Sequence, residues 1–469
     1  MDRLDVMGST PDPSRPINLF WGKPAPALLP IEELAAAARF VFSEPSISVP
    51  SLEYGDHLGY QPLRRQVSSW LNGFYGSPDN PEHICITGGA SLGLAVILQV
   101  LTDPVATRAV WLIAPCFYLA CRMFEDAGLT GKLRSVKEGD EGTIDLEYLE
   151  QEMQRLDEQE FTNKKTTKPN DPARKTYRHV IYVVSTFSNP SGKTMPLTCR
   201  QKLVEVARRH DALIVSDDIY DCLQWSSSRL DSSVPKTAPL PRLVDIDRSL
   251  PPLASDPRHF GNAVSNGSFS KIIAPGLRTG WVDATPALAY ALSECGSTRS
   301  GGGPSSQIVA AMIVPLVQSG FLQKHVFETL IPAYRRRREI MVDAIETHLG
   351  PLGVELVKIS LAKEYTVGGF FLWMTLPDGV SSSTVGKMAK EEENLVVSPG
   401  ATFVVTGHDE KGWYDHFLRV SFSYENEDTL VEGIVRLERV VRRLIKTRGH
   451  DTSNEVHVNG HQQGLSSSR

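Results

Sequence analysis

The stretch Gly267-Ser268-Phe269-Ser270-Lys271-Ile272-Ile273-Ala274-Pro275-Gly276-Leu277-Arg278-Thr279-Gly280-Trp281 sets one lysine after two hydroxyl residues. A Pro-Gly break follows, and an arginine stands seven positions beyond the lysine. An amine attacks carbonyls in its neutral form, which requires desolvation or nearby positive charge, and a polar, loop-bounded pocket can supply both. The hydroxyls of Ser268 and Ser270 and the planar fork of Arg278 suit the oxygens of a phosphate. Together these residues fit a lysine tethered as an imine beside a phosphate. A lysine in a Ser-rich loop is also a common solvated group, so the reading depends on partners elsewhere in the chain.

Five further stretches offer such partners. Thr87-Gly88-Gly89-Ala90-Ser91 precedes an apolar segment over 92–101. Its glycines allow a backbone to approach an anion, and Ser91 is suited to cap a helix whose first amides point at that anion. Ala114-Pro115-Cys116-Phe117-Tyr118 carries two aromatics, either of which can stack on a flat ring. In Ser188-Asn189-Pro190-Ser191-Gly192 a turn presents an amide that can donate to a phenolate oxygen. Ser216-Asp217-Asp218-Ile219-Tyr220 brings an acidic pair, one member of which can keep a ring nitrogen protonated. Near the end, Arg419 stands inside the run Phe417-Leu418-Arg419-Val420-Ser421, where an unpaired guanidinium is costly. A substrate carboxylate and a structural salt bridge both answer that need.

Elements that could position these groups are legible in the apolar pattern. Short unalternating runs recur at Ile84–Ile86, Ala109–Ile113, Val180–Val184 and Leu213–Val215, each followed by Gly, Pro, Asn or Asp. Such runs are expected of strands covered on both faces, with helices between them. The class is therefore α/β with a largely parallel sheet flanked by helices, and ligands of such sheets sit beyond the carboxyl ends of the strands. The motifs after those four runs fall there.

These motifs, in this order, closely resemble those of the class I aminotransferases, fold-type I enzymes that use pyridoxal 5'-phosphate. Within that group the chain is most similar to the fungal and bacterial branch of 2-aminoadipate, kynurenine and aromatic aminotransferases, and the likeness runs from about Ile17 to about Leu444. The resemblance implies that Lys271 forms the imine and moves the proton. It implies that Gly89, Ala90, Ser91, Ser268, Ser270 and Arg278 hold the phosphate, and that Phe117 rather than Tyr118 stacks on the ring, which leaves Tyr118 as a core aromatic. Asn189 and Tyr220 would meet its 3'-oxygen, and Asp217 its nitrogen, with Asp218 facing elsewhere. Arg419 would take the substrate's α-carboxylate, aided by Asn189 and by Gly22 of the returning segment Ile17-Asn18-Leu19-Phe20-Trp21-Gly22. Tyr54, in Glu53-Tyr54-Gly55, would reach the partner's cofactor phosphate across a homodimer. The implied activity is transfer of an amino group from an L-amino acid, lysine-derived, 2-aminoadipate-like or aromatic, to a 2-oxo acid. Fungal relatives with comparable inserts often serve specialised metabolism. A pyridoxal-phosphate lyase, such as a carbon-sulfur lyase or cyclopropane-forming synthase, would share every cofactor residue and is the alternative.

At 469 residues the chain exceeds the roughly 250–300 at which one core stops growing, so more than one domain is expected. The expected division is an N-terminal arm over 1–46, a large domain over 47–330, a small α+β domain over 331–449 and a disordered tail over 450–469. In the small domain, Gly368–Trp373 is expected as one strand and Val396–Gly400 as another with its turn. The segments 158–178 and 226–258, charged or rich in Ser and Pro, are expected as surface loops. Net charge is -6, with no basic tract, so neither nucleic acid nor an anionic membrane is an expected partner, and a cofactor-sensing transcription regulator is disfavoured. The six cysteines and twelve histidines form no metal-ligand pattern. The opening residues lack an apolar signal core, so a cytoplasmic location is expected.

Overall fold

In a computed structural model of the chain, residues 15–159, 166–169, 171–231, 234–300, 305–360, 365–408 and 411–459 are described. The expected N-terminal arm up to residue 14 and the glycine run at 301–303 lie outside them. A seven-stranded sheet is built from β1 (Ile84–Thr87), β2 (Ala109–Ala114), β3 (Leu133–Lys137), β4 (His179–Val183), β5 (Ala212–Asp217), β6 (Ala263–Ser268) and β7 (Gly280–Asp283). The spatial order is β1-β7-β6-β5-β4-β2-β3, parallel except for β7, which runs antiparallel to β1 and β6.

The four apolar runs are all strands of this sheet, and their side chains explain why the runs do not alternate. Val110, Leu112, Val180, Tyr182, Leu213 and Val215 enter one hydrophobic layer. Their chain neighbours Trp111, Ile113, Ile181, Val183, Ala212 and Ile214 enter the layer on the opposite face. Successive strand side chains point to opposite faces, so burial of both faces requires every position to be apolar.

A second, antiparallel sheet has the order β8-β9-β11-β10, formed by β8 (Glu355–Leu356), β9 (Phe371–Thr375), β10 (Ser398–Pro399) and β11 (Phe417–Ser421). The chain start is tied to it. Ile17–Asn18 pairs parallel with Leu395–Val396, and the Ser421 amide donates to Leu19 O at 2.8 Å. This pairing carries Phe20, Trp21 and Gly22 toward the carboxyl ends of the large sheet.

Three expectations are corrected. The strand expected over Gly368–Trp373 is divided: Thr366–Gly368 pairs antiparallel with Gln224–Ser226, and β9 begins at Phe371. Gly369 has φ +66°, a conformation open to glycine that turns the chain between the two sheets. The 226–258 segment is not wholly a surface loop, because it contains a helix at Leu243–Ser249 with Leu243, Val244 and Ile246 buried. Its Ser and Pro content masked that short apolar stretch. The last helix runs Glu427–Asn459, ten residues into the expected tail. No proline interrupts it, and an established helix adds one hydrogen bond for each residue it fixes.

Candidate active site

Beyond the carboxyl ends of β4, β5 and β6 lies a cavity of about 330 Å³. Gly22, Ala90, Ser91, Phe117, Asn189, Asp217, Tyr220, Ser268, Ser270, Lys271, Arg278 and Arg419 all line it. Two expected site residues do not. Gly89 lies behind the wall, where a Cβ would stand 3.0 Å from Arg278 Nη2, and its φ of +93° favours glycine. Tyr54 is 86% exposed, away from the cavity.

Lys271 ends the short 3-10 turn Phe269–Lys271, in which the Ser270 amide donates to Ser268 Oγ at 3.1 Å. Its Nζ donates to Gly22 O at 2.6 Å, joining residues 249 positions apart. Burial lowers its pKa to about 8, Asp217 opposes the shift, and the nearby Arg419 and Arg278 cations add to it. The amine is thus brought toward neutrality by desolvation first and like charge second.

Asp217 closes β5. One oxygen accepts from Tyr182 Oη at 2.9 Å, while the buried Oδ1 has no partner. Burial, with a contribution from Asp218, raises its pKa to about 7. A cationic ring nitrogen beside Oδ1 would satisfy the lone oxygen and restore the carboxylate. Asp218 does face elsewhere, accepting hydrogen bonds from Ser185 and Ser216.

On β11, Arg419 is held by three neutral acceptors: Nη1 donates to Asn189 Oδ1 at 2.7 Å, and Nη2 to Phe20 O at 2.7 Å and Ser398 Oγ at 3.0 Å. The guanidinium lies 4.0 Å from the Phe371 ring centre and 4.7 Å from that of Phe403. Its Nε is buried without a partner, and no ion pair to it occurs among the described residues. Burial lowers its pKa to about 10, which leaves it cationic at neutral pH. A buried cation whose described partners are all neutral suits an anionic ligand such as a carboxylate. With Asn189 Oδ1 engaged by Arg419, the Asn189 amide nitrogen is left to donate to an acceptor in the cavity.

The phosphate-suited end comprises Ser268, Ser270, Arg278 and the start of the helix Ala90–Leu101. Ser268 Oγ donates to Ser270 Oγ at 2.8 Å, and Arg278 Nη2 donates to Gly88 O at 3.1 Å. Ser91 does not cap this helix. The cap position belongs to Gly89, whose positive-φ backbone lets the helix begin at Ala90, two residues earlier than a Ser91 cap would, so Ser91 occupies the first turn. Gly280 permits the close packing below, since a Cβ there would stand 2.4 Å from Gly267 O.

Sequence reasoning missed Tyr182, Asn266, Lys23 and Phe371, which also line the cavity, and placed Tyr118 in the core. Tyr118 is half-buried at the cavity wall, with its ring 6.4 Å from Phe20 and 6.2 Å from Phe403. Tyr182 had no visible signal, since it reads as one more apolar residue of β4. Asn266, a polar residue in a buried strand, was such a signal: its amide donates to Ala90 O at 2.9 Å.

Comparison with known proteins agrees with this geometry. The family model "Aminotransferase class I and II" matches residues 27–437. An uncharacterised protein of Saccharomyces cerevisiae is 33% identical over 438 residues, covering 89% of this chain and 95% of that protein. Aromatic-amino-acid aminotransferase 1 of Thermococcus litoralis is 28% identical, covering 92% and 89%. The crystal structure of LysN, the α-aminoadipate aminotransferase of Thermus thermophilus complexed with N-(5'-phosphopyridoxyl)-L-leucine, superposes with a TM-score of 0.71 at 26% identity, covering 92% of this chain and 93% of that one.

Proposed function

The chain belongs to the class I and II aminotransferases, pyridoxal 5'-phosphate enzymes of fold type I, and we propose that it moves the amino group of an L-amino acid with a bulky side chain, aromatic or 2-aminoadipate-like, to a 2-oxo acid. The observation that carries this reading is the meeting of Lys271, Asp217, Asn189 and Arg419 around one cavity. When bound, pyridoxal 5'-phosphate supplies an electron sink for the charge that develops at the substrate's α-carbon.

In this reading the residues divide the work. Arg419 would hold the substrate carboxylate by its charge and by the hydrogens that its three neutral acceptors leave, with Gly22 lining the same cavity. Lys271 Nζ would take up and return the proton of the substrate's α-carbon, the task of a nearly neutral amine. Asp217 holds a proton on the ring nitrogen through its unpartnered Oδ1. Asn189 and Tyr220 would donate to the 3'-oxygen, Phe117 would cover the ring, and Ser91, Ser268, Ser270 and Arg278 would hold the phosphate, with Ala90 supplying backbone approach and Gly89 leaving room for Arg278 behind the wall. The aromatic walls of Phe20, Trp21, Tyr118 and Phe371 favour a large side chain, and Lys23 at the same cavity suits a distal carboxylate.

We also read the enzyme as a homodimer. Ile31, Phe42, Val49, Leu52 and Tyr54 are exposed along one chain segment, an apolar surface that pairing would cover and that would carry Tyr54 to the partner's phosphate. The small sheet and the N-terminal strand would belong to a domain that closes over substrate and excludes water.

The test is a panel of L-amino acids offered to the holoenzyme with several 2-oxo acids, scoring formation of the new oxo acid. Oxo-acid production from aromatic or aminoadipate-like donors is expected. Release of ammonia or thiol without pyridoxamine phosphate would replace this reading with the lyase.

A further inference from the structure

A second cavity, of about 430 Å³, lies apart from the first and shares no lining residue with it. Its volume falls in the roughly 300–1,000 Å³ range of small-molecule sites. The walls are largely apolar, with Phe187, Pro196, Leu240 and Ile359 among them. At one side stands Asp221, 5% exposed, whose Oδ2 accepts from Tyr75 Oη at 2.9 Å and whose Oδ1 has no partner.

The charge around Asp221 is unbalanced. Asp218, three residues away, also has a buried oxygen without a partner. Arg200, the cation lining this cavity, spends its hydrogens on neutral oxygens: Met195 O at 3.0 Å, Pro241 O at 2.8 Å, Ser185 O at 2.9 Å and Thr186 Oγ1 at 2.8 Å. Arg242, the other cation near Asp221, spends its hydrogens on Asp245, Asp283 and Ser77. Burial first and Asp218 second hold the Asp221 carboxyl well above the usual carboxylate range, and a cation at its unpartnered oxygen would restore the carboxylate, which favours a cationic over an anionic occupant.

We propose that this cavity is a second small-molecule site, for an amine with an apolar body, whose ammonium group pairs with Asp221 while its hydrocarbon part packs between Phe187, Leu240 and Ile359. The cavity is bounded by two segments that also reach the active site, Thr186–Thr194 through Asn189 and Asp217–Gln224 through Tyr220. An occupant would therefore lie directly behind two residues of the first cavity.

N,N-dimethylbenzylamine is a suitable probe, because a tertiary amine cannot condense with the cofactor aldehyde. Calorimetric titration into the holoenzyme should give saturable binding. The affinity should fall at least about tenfold in Asp221→Asn, as loss of a charge-assisted hydrogen bond implies, and also in Leu240→Trp, which fills the cavity from its rim. It should be unchanged in Arg419→Gln, whose side chain lines the first cavity and not the second. Absence of saturable binding, or loss in Arg419→Gln with both other variants unaffected, overturns the proposal. Unchanged affinity in a folded Asp221→Asn overturns the assignment to an amine. If Asp221→Asn does not fold, Leu240→Trp decides.

Discussion

Lys271 is a nucleophile made by its surroundings. Burial, Arg278 and Arg419 lower its pKa to about 8 against the pull of Asp217. The neutral fraction of a lysine rises as pH passes upward through its pKa, so capture of pyridoxal phosphate by the apoprotein should accelerate with a midpoint near pH 8. A surface lysine would place that midpoint above 10. Stopped-flow absorbance against pH checks this, and a midpoint above 10 would mean that the amine is solvated. Lys271→Ala should keep the fold by circular dichroism and lose about 10²–10⁴ or more in oxo-acid formation, the range that proton transfer by a positioned group contributes. Turnover at the parental rate would remove Lys271 from its proposed role.

Helix Leu243–Ser249 stabilises the sheet through charge as much as through apolar packing. Arg242, 1% exposed, donates to Asp245 at 2.8 and 3.0 Å, to Asp283 at 2.7 Å and to Ser77 at 2.8 Å. Asp283 closes β7, so this pairing anchors the insert to the strand beside β6, which leads into Lys271. Breaking a buried pair by removing one partner costs about 3–5 kcal/mol. Arg248 still reaches both acids at 2.8 Å, so Arg242→Ala should sit at the low end, about 3 kcal/mol, in denaturant unfolding of the holoenzyme. A loss below about 1 kcal/mol would show that Arg248 alone balances the two carboxylates.

As a whole molecule, the enzyme depends on contacts between its two sheets and, in our reading, between two copies of the chain. The segment from Ile17 to Gly22 is held at the active site by the strand Ile17–Asn18 beside Leu395–Val396 and by hydrogen bonds from Ser421, Arg419 and Lys271. Analytical ultracentrifugation should give twice the 51.7 kDa chain mass. Phe42→Asp, on the exposed apolar segment, should shift the protein toward the monomer and weaken cofactor retention with it. Tyr54→Phe should weaken retention while the dimer persists, since only a hydroxyl is lost. A fully active monomer would contradict both the dimer and the role of Tyr54.

The amino-acid order by itself determined the α/β class, the four buried strands named from apolar runs and the turns that follow them, because each of these is a local matter. A fully covered strand must be apolar throughout, and a turn at its end needs Gly, Pro, Asn or Asp. Asp217 and Asn189 were legible because they follow such strands, and Lys271 because two hydroxyl residues and Arg278 stand around it in the sequence. Tertiary structure alone decided that Arg419 meets Asn189, 230 positions away, and that Lys271 meets Gly22. It also decided that Tyr182 supports Asp217, that a helix lies within the Ser- and Pro-rich insert, and that a second cavity opens beside Asp221. The physical reason is that residue type and spacing restrict what one segment can form, while the pairing of distant segments is chosen by the packing of the whole chain.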